Sequence, residues 1–277
     1  NFQFAIAQAD GSDLRFVADD NKTLLTYHIE TWATLLNEAF VWVNIPELKP
    51  HAQTTFWLYY GNAGGKAPKV EDAKGTYDAD TVLVYHFAEH NQPAYDSTGA
   101  GNNAQNPGIP SDGAMIGTGL RLDGKTTVTI PASPALSWSE GGAITWSAWV
   151  KFGSPEPQAV FFSRRNGVKY FLVGADNGVP FVAVTNRGAG ISSGPGAAVA
   201  PNSWHHLAVV AGGEKITLNL DGEQYTVLQA PLPALDGTMV VGGDGVSGAQ
   251  NTGGLFNGEI DELKSSKVAR SVGAIRA

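Results

Sequence analysis

The 277-residue chain is 43% hydrophobic and only 16% charged, with 34 Gly and 15 Pro, a globular profile rich in turns and poor in salt-bridged helix surface. Its net charge of −8, with no cluster of Lys and Arg, argues against a nucleic-acid partner, because phosphate binding needs concentrated positive charge. The absence of cysteine excludes disulfides, thiolate metal sites and cysteine nucleophiles together.

The chain opens on NFQFAIAQADGSDLRF, already inside a structured segment and without a signal-peptide pattern, and reads as a piece of a longer polypeptide. No apolar run approaches the ~20 residues of a membrane span. Membrane association is therefore expected only through parts of the parent protein absent here. The first strand-like runs are DLRFVA, LLTYHIE, AFVWVNI and TTFWLYYG. Within VWVNI, period-2 alternation puts Val41, Val43 and Ile45 on one face and Trp42 and Asn44 on the other. The Gly/Pro/Lys-rich stretch 62–74 reads as a linker, dividing residues 1–75 from residues 76–277.

The second region carries TVLVYHF, GLRL, TVTI, AITWSAWVKF, AVFFS, YFLVG, PFVAVT, WHHLAVVA, KITLNLDG, MVVGG and FNGEIDELK. NLDGE predicts a tight hairpin, since Asp-Gly supplies the positive φ of its turn. The tail SSKVARSVGAIRA reads as weakly helical. About a dozen short strands between turn signals predict two packed sheets, so the fold class is all-β, a small β-domain followed by a jelly-roll sandwich.

Three features bear on chemistry. In GEIDELK, Glu259 and Asp261 alternate on one strand face, as the paired carboxylates of a retaining glycosidase require at about 5–5.5 Å. Glu262 points to the opposite face of a regular strand. The loop YDSTGAGNN offers Asp96, Ser97, Asn102 and Asn103, an oxygen-rich set that suits calcium with its 6–8 oxygen ligands or simply makes an Asx-rich surface turn. Sugar sites use aromatic faces, and the chain has 7 Trp and 8 Tyr. Trp146 and Trp149 lie three apart on a strand, so one is expected in the core and one outside; Trp138 sits in the loop PALSWSEGG. Core packing is the competing reading for each. The six histidines show no metal-ligand spacing, and His205 and His206 face opposite ways.

From Thr76 onward the ordered series VLVYHF, YDSTGAGNNA, LRLDGKTTVTIPASPAL, AITWSAWVKF, WHHLAVV, ITLNLDGE, VVGGDG and FNGEIDELKSSKVAR resembles a LamG-like, concanavalin A-type jelly roll. The N-terminal segments ADGSDLRFVADDNKTLLTYHIE, AFVWVNIPEL and TTFWLYYGN resemble a small β-domain of unassigned function, here N-terminally truncated. Their pairing, with KGTYDADTVLVYHF at the junction, is similar to the periplasmic extension of bacterial ExbB/TolQ/MotA-like proton-channel proteins. The resemblance implies a structural calcium held by Asp96 and Asp261, with Asn103 as a third ligand. It implies ligand binding through Trp138, Trp146 and Trp149. The laminarinase-type glucanases share the jelly roll but carry E-x-D-x-E on the active strand, and Leu263 stands at the third position here. The expected function is a non-catalytic, periplasmic recognition module for a glycan, peptidoglycan or protein partner, tethered to the inner membrane in the parent. An assembly spacer without small ligand and an ancillary part of a polysaccharide-degrading enzyme are the alternatives.

Overall fold

The computed structural model describes residues 2–48, 51–62, 70–186, 188–246 and 254–276. The chain divides into two compact units, residues 1–79 and 80–277. Most of the expected linker, residues 63–69, lies outside the described residues. Its C-terminal end is a helical turn, Ala73–Thr76, whose Gly75 N–H donates to Asp72 Oδ1 at 2.8 Å.

The first unit contains β1 (Arg15–Ala18), β2 (Leu24–Leu25), β3 (Tyr27–Ala33), β4 (Glu38–Val43) and β5 (Phe56–Tyr59). Strands β2, β1 and β5 form one antiparallel sheet in that order; β3 and β4 form a hairpin. The run LLTYHIE, expected as one strand, is broken at Thr26. Its hydroxyl donates to the Gly75 carbonyl at 2.7 Å and its carbonyl accepts from the Asn44 N–H at 2.9 Å, so β2 and β3 enter different sheets. Leu14, Phe16, Leu25 and Tyr27 make a small core, and the Val41, Val43 and Ile45 face packs against it as the alternation requires.

The second unit is a two-sheet sandwich. Its strands are β6 (Thr81–Tyr85), β7 (Ile109–Asp112), β8 (Thr118–Asp123), β9 (Val128–Ile130), β10 (Ile144–Phe152), β11 (Ala159–Asn166), β12 (Lys169–Asp176), β13 (Val179–Thr185), β14 (Ile191–Ser192), β15 (Trp204–Gly212), β16 (Lys215–Leu220), β17 (Glu223–Leu228), β18 (Met239–Val241) and β19 (Asn257–Ser266). Among the described residues one sheet runs β17-β16-β15-β10-β19-β8-β7, with β6 also on β19; the other runs β14-β13-β12-β11-β18-β9. Inward residues of both sheets make one continuous core, for which β10 supplies Ile144, Trp146, Ala148, Val150 and Phe152 at strict period 2. The β16–β17 hairpin turns on Asp221 and Gly222, with φ of 51° and 79°, the two positive values a type I′ turn needs. The tail forms a five-residue helix, Val272–Arg276.

Candidate functional site

The closing strand β19 lies in the middle of its sheet, between β10 on one edge and β8 and β6 on the other. Its apolar residues Ile260 and Leu263 both face the core. They are three apart, which period-2 alternation cannot satisfy. The strand resolves the conflict with a β-bulge: Glu262 takes a φ of 52°, and the register with β10 jumps from Trp149↔Asp261 to Ser147↔Lys264. Glu262 is therefore not on the face opposite Asp261, as a regular strand would have it; both turn away from the core beside Glu259. The I-x-x-L spacing inside a strand was the sequence signal for this bulge.

Each of the three carboxylates is engaged. Asp261, fully buried, accepts from the Glu262 N–H at 2.8 Å and the Ile116 N–H at 2.9 Å. Burial raises it to about 7, opposed by the Ile116 N–H and reinforced by the Glu262 charge. Glu262, also buried, has Oε1 2.7 Å from His86 Nδ1 and Oε2 3.3 Å from Lys264 Nζ; burial raises it to about 7 against the pull of Lys264. His86, which no spacing singled out, is thus a buried partner of the closing strand. Glu259 lies 3.4 Å from Lys151 Nζ and 3.9 Å from Arg121 Nη1.

The loop carrying Asp96 is hydrogen-bonded to β6. Val84 donates its N–H to Asp96 Oδ1 at 3.3 Å and its carbonyl accepts from the Ser97 N–H at 3.0 Å, both on the edge of β6 away from β19. Asp96 thus docks on the edge of β6 opposite the one that pairs with residues 263–266 of β19. Asp96 Oδ1 also accepts from the Thr98 N–H at 3.1 Å and hydroxyl at 2.7 Å, and Oδ2 from the Asn102 N–H at 3.1 Å. Asn103 Oδ1 accepts from the Asp96 N–H at 2.9 Å. Asp96 and Asn103 come together, but as the hub of an Asx-type loop whose oxygens face N–H and O–H donors. Among the described residues Asp96 and Asn103 thus share one loop, while Asp261 is held by the Ile116 and Glu262 N–H groups.

The tryptophans divide three ways. Trp146 is fully buried, its ring 5.2 Å from Phe162, and offers no face to a ligand, which corrects its assignment as a binding residue. Trp138 is also mostly buried, yet it borders a cavity of about 180 Å³ with Ser137, Ser139, Leu232 and Lys267. Its ring carries the buried Arg164 guanidinium 4.7 Å from the centroid. Arg164 donates through Nε to the Gly237 carbonyl at 3.1 Å and through Nη1 to the Leu136 carbonyl, and burial lowers it to about 10. Trp149, half-buried, lies on the outer face of β10, its ring 5.3 Å from that of His206. Burial, helped by the Lys264 charge, lowers His206 and favours the neutral ring.

The register fills out that outer face. One cross-strand row reads Trp204, Lys151, Glu259, Arg121; the next reads His206, Trp149, Asp261. Trp204 is half-exposed, with Lys151 Nζ 5.7 Å from its ring centroid. Sequence reasoning passed over Trp204, although its alternation with His206 in WHHLAVV places both on one face.

Two family profiles match the chain. The one described as "Concanavalin A-like lectin/glucanases superfamily" covers residues 122–276, and "Domain of unknown function (DUF2341)" covers residues 10–101. A search of curated proteins gives no match. Among solved structures, domain 4 of AbnA, a GH43 extracellular arabinanase from Geobacillus stearothermophilus in complex with arabinotriose, is 17% identical with a TM-score of 0.57. The match covers 72% of this chain and 98% of that one. The binding domain of Paraclostridial Mosquitocidal Protein 1 is 12% identical with a TM-score of 0.57, covering 74% and 52%. A structure of botulinum neurotoxin type C, whose cell entry depends on interaction with two ganglioside molecules, is 12% identical with a TM-score of 0.55, covering 71% and 50%. This chain spans about half the length of those two toxin chains, and identities so low establish a shared fold alone. The sandwich and the profile covering more than half the sequence lead to one conclusion: the chain belongs to the concanavalin A-like lectin/glucanases superfamily.

Proposed function

We propose that the chain is a non-catalytic, extracytoplasmic recognition module that binds a glycan. In its parent protein it would form the periplasmic part of an ExbB/TolQ-like envelope machine. The observation that carries the non-catalytic reading is the state of the closing strand. Asp261 and Glu262 are sealed from solvent and hydrogen-bonded or ion-paired within the chain, so neither is free to act on a glycosidic bond. The glycan reading is supported by the similar fold of a domain in complex with arabinotriose and by the half-exposed Trp149 and Trp204 on one sheet face. The envelope assignment is supported by the order of a DUF2341 region before the sandwich.

A screen of the purified chain against plant, host and bacterial glycans, peptidoglycan included, should return saccharide binding with no release of reducing sugar. Absence of binding to every saccharide would sink the reading. One observation favours hydrolysis as a second reading: the bulge brings three carboxylates to one face of the sheet. Reducing sugar released from β-glucans by wild type and lost in Glu259→Gln would promote it.

A further inference from the structure

Building on the glycan reading, we propose that the outer face of β10 and β15 is the ligand platform, and that it selects a carboxylate-bearing oligosaccharide. Trp149 pairs with His206, and Trp204 stands two residues before His206 on the same strand, so the two indoles are diagonal neighbours. Diagonal pairs in an antiparallel sheet lie about 7–8 Å apart, which lets two rings underlie adjoining sugar units. Both indoles are half-exposed, and among the described residues neither ring N–H meets a hydrogen-bond acceptor, unlike Trp42, whose N–H reaches Glu30 at 2.7 Å. They present an apolar face and an open donor together, which is what the alternating C–H faces and hydroxyl edges of a pyranose require.

The charge along the neighbouring row sets the class. Lys151 and Arg121 share one carboxylate, Glu259, and share it loosely, at 3.4 and 3.9 Å. Charge-assisted N–H···O contacts close to about 2.7–2.9 Å when fully made. Among the described residues the Arg121 guanidinium makes no hydrogen bond, and the side chain is exposed. The row thus holds a surplus positive charge, with donors to spare, in a chain whose net charge is −8. A sugar carboxylate entering between Lys151 and Arg121 would complete both, while its ring and its neighbour stack on Trp204 and Trp149. Glu259 keeps the two cations parted and accepts from sugar hydroxyls.

The test is calorimetry on the full chain with three acidic probes, trigalacturonic acid, glucuronic acid oligomers and sialyllactose, each beside its neutral parent. At least one acid should bind at least tenfold tighter than its parent, with affinity falling as salt rises. Trp204→Ala and Trp149→Ala should each weaken it tenfold or more, with unchanged circular dichroism. Lys151→Met should remove the acid preference while leaving neutral binding in place, an outcome a packing role would not produce. Equal binding of acids and parents overturns the class, and binding indifferent to both tryptophans overturns the platform; either leaves the glycan reading standing. Failure of every saccharide, neutral or acidic, overturns both.

Discussion

The two units solve one problem, burying one face of every strand, with unequal means. The second closes two sheets over a continuous core to which nearly every long strand contributes. Among the described residues the first clusters Leu14, Phe16, Leu25 and Tyr27 and leaves β5, an edge strand, with Phe56, Trp57, Leu58 and Tyr59 all exposed. Each unit also ties its loops to a buried aspartate. Asp13 accepts from the N–H groups of Gln8, Gly61 and Asn62, as Asp96 accepts from those of Val84, Thr98 and Asn102. Where apolar area is scarce, backbone N–H groups collected on one carboxylate carry a larger share of the order. That contrast teaches where each unit is vulnerable: the second through its packing, the first through its edges.

Substitutions separate the two units. The largest expected effect is Trp146→Ala, which should cost about 3–5 kcal/mol in urea unfolding; a cost near zero would mean the sandwich core is not cooperative. Asp96→Ala leaves four donor contacts without their acceptor and should cost about 2–3 kcal/mol. Chelator should leave the melting temperature of wild type unchanged. A chelator-induced drop restored by calcium would reveal an oxygen cage other than Asp96, Asn103 and Asp261.

The pH response should separate the units by sign. Asp261 and Glu262 are raised by burial to about 7, so the folded state holds protons that the unfolded chain has lost. Their effect lowers stability as pH climbs from about 4 to 7 and is flat above. Asp13 is the reverse: burial opposes its ionisation, but the N–H groups of Gln8, Gly61 and Asn62 prevail and hold it low. Its stabilisation is full above its unfolded value and fades as pH falls through the lower folded one. His206, lowered by burial, offsets part of the first trend below its unfolded value, so the slope is read against Asp261→Asn. A melting profile between pH 5 and 8 identical for wild type and Asp261→Asn would exclude Asp261 as a source of this trend. The smallest effect is Trp57→Lys, within about 0.5 kcal/mol because the side chain is already exposed. Its light scattering on heating should fall, since a charge on an apolar edge strand discourages edge-to-edge pairing.

Much of this was legible locally. Period-2 alternation put Val41, Val43 and Ile45 on one face, the one that packs on the first core, and set Trp146 and Trp149 on opposite faces of β10, because alternation is a property of one strand at a time. The Asp221–Gly222 turn was equally local. What escaped depended on partners distant in sequence. Glu262 changes face because Ile260 and Leu263 must both reach a core built by other strands. Asp96 belongs to the far edge of β6, a fact set by which side of that strand β19 occupies. Trp204 acquires a role only when β15 falls in register beside β10.

The central place of β19 has a consequence for the order of synthesis. Residues 257–266 emerge from the ribosome more than a hundred residues after β10, β8 and β6, yet all three pair with them. Until then β10 and β8 face each other across an empty lane, each with an unpaired edge. The central pairings of this sheet therefore form only after β19 has emerged, the latest strand pairings and among the most non-local contacts of the sandwich.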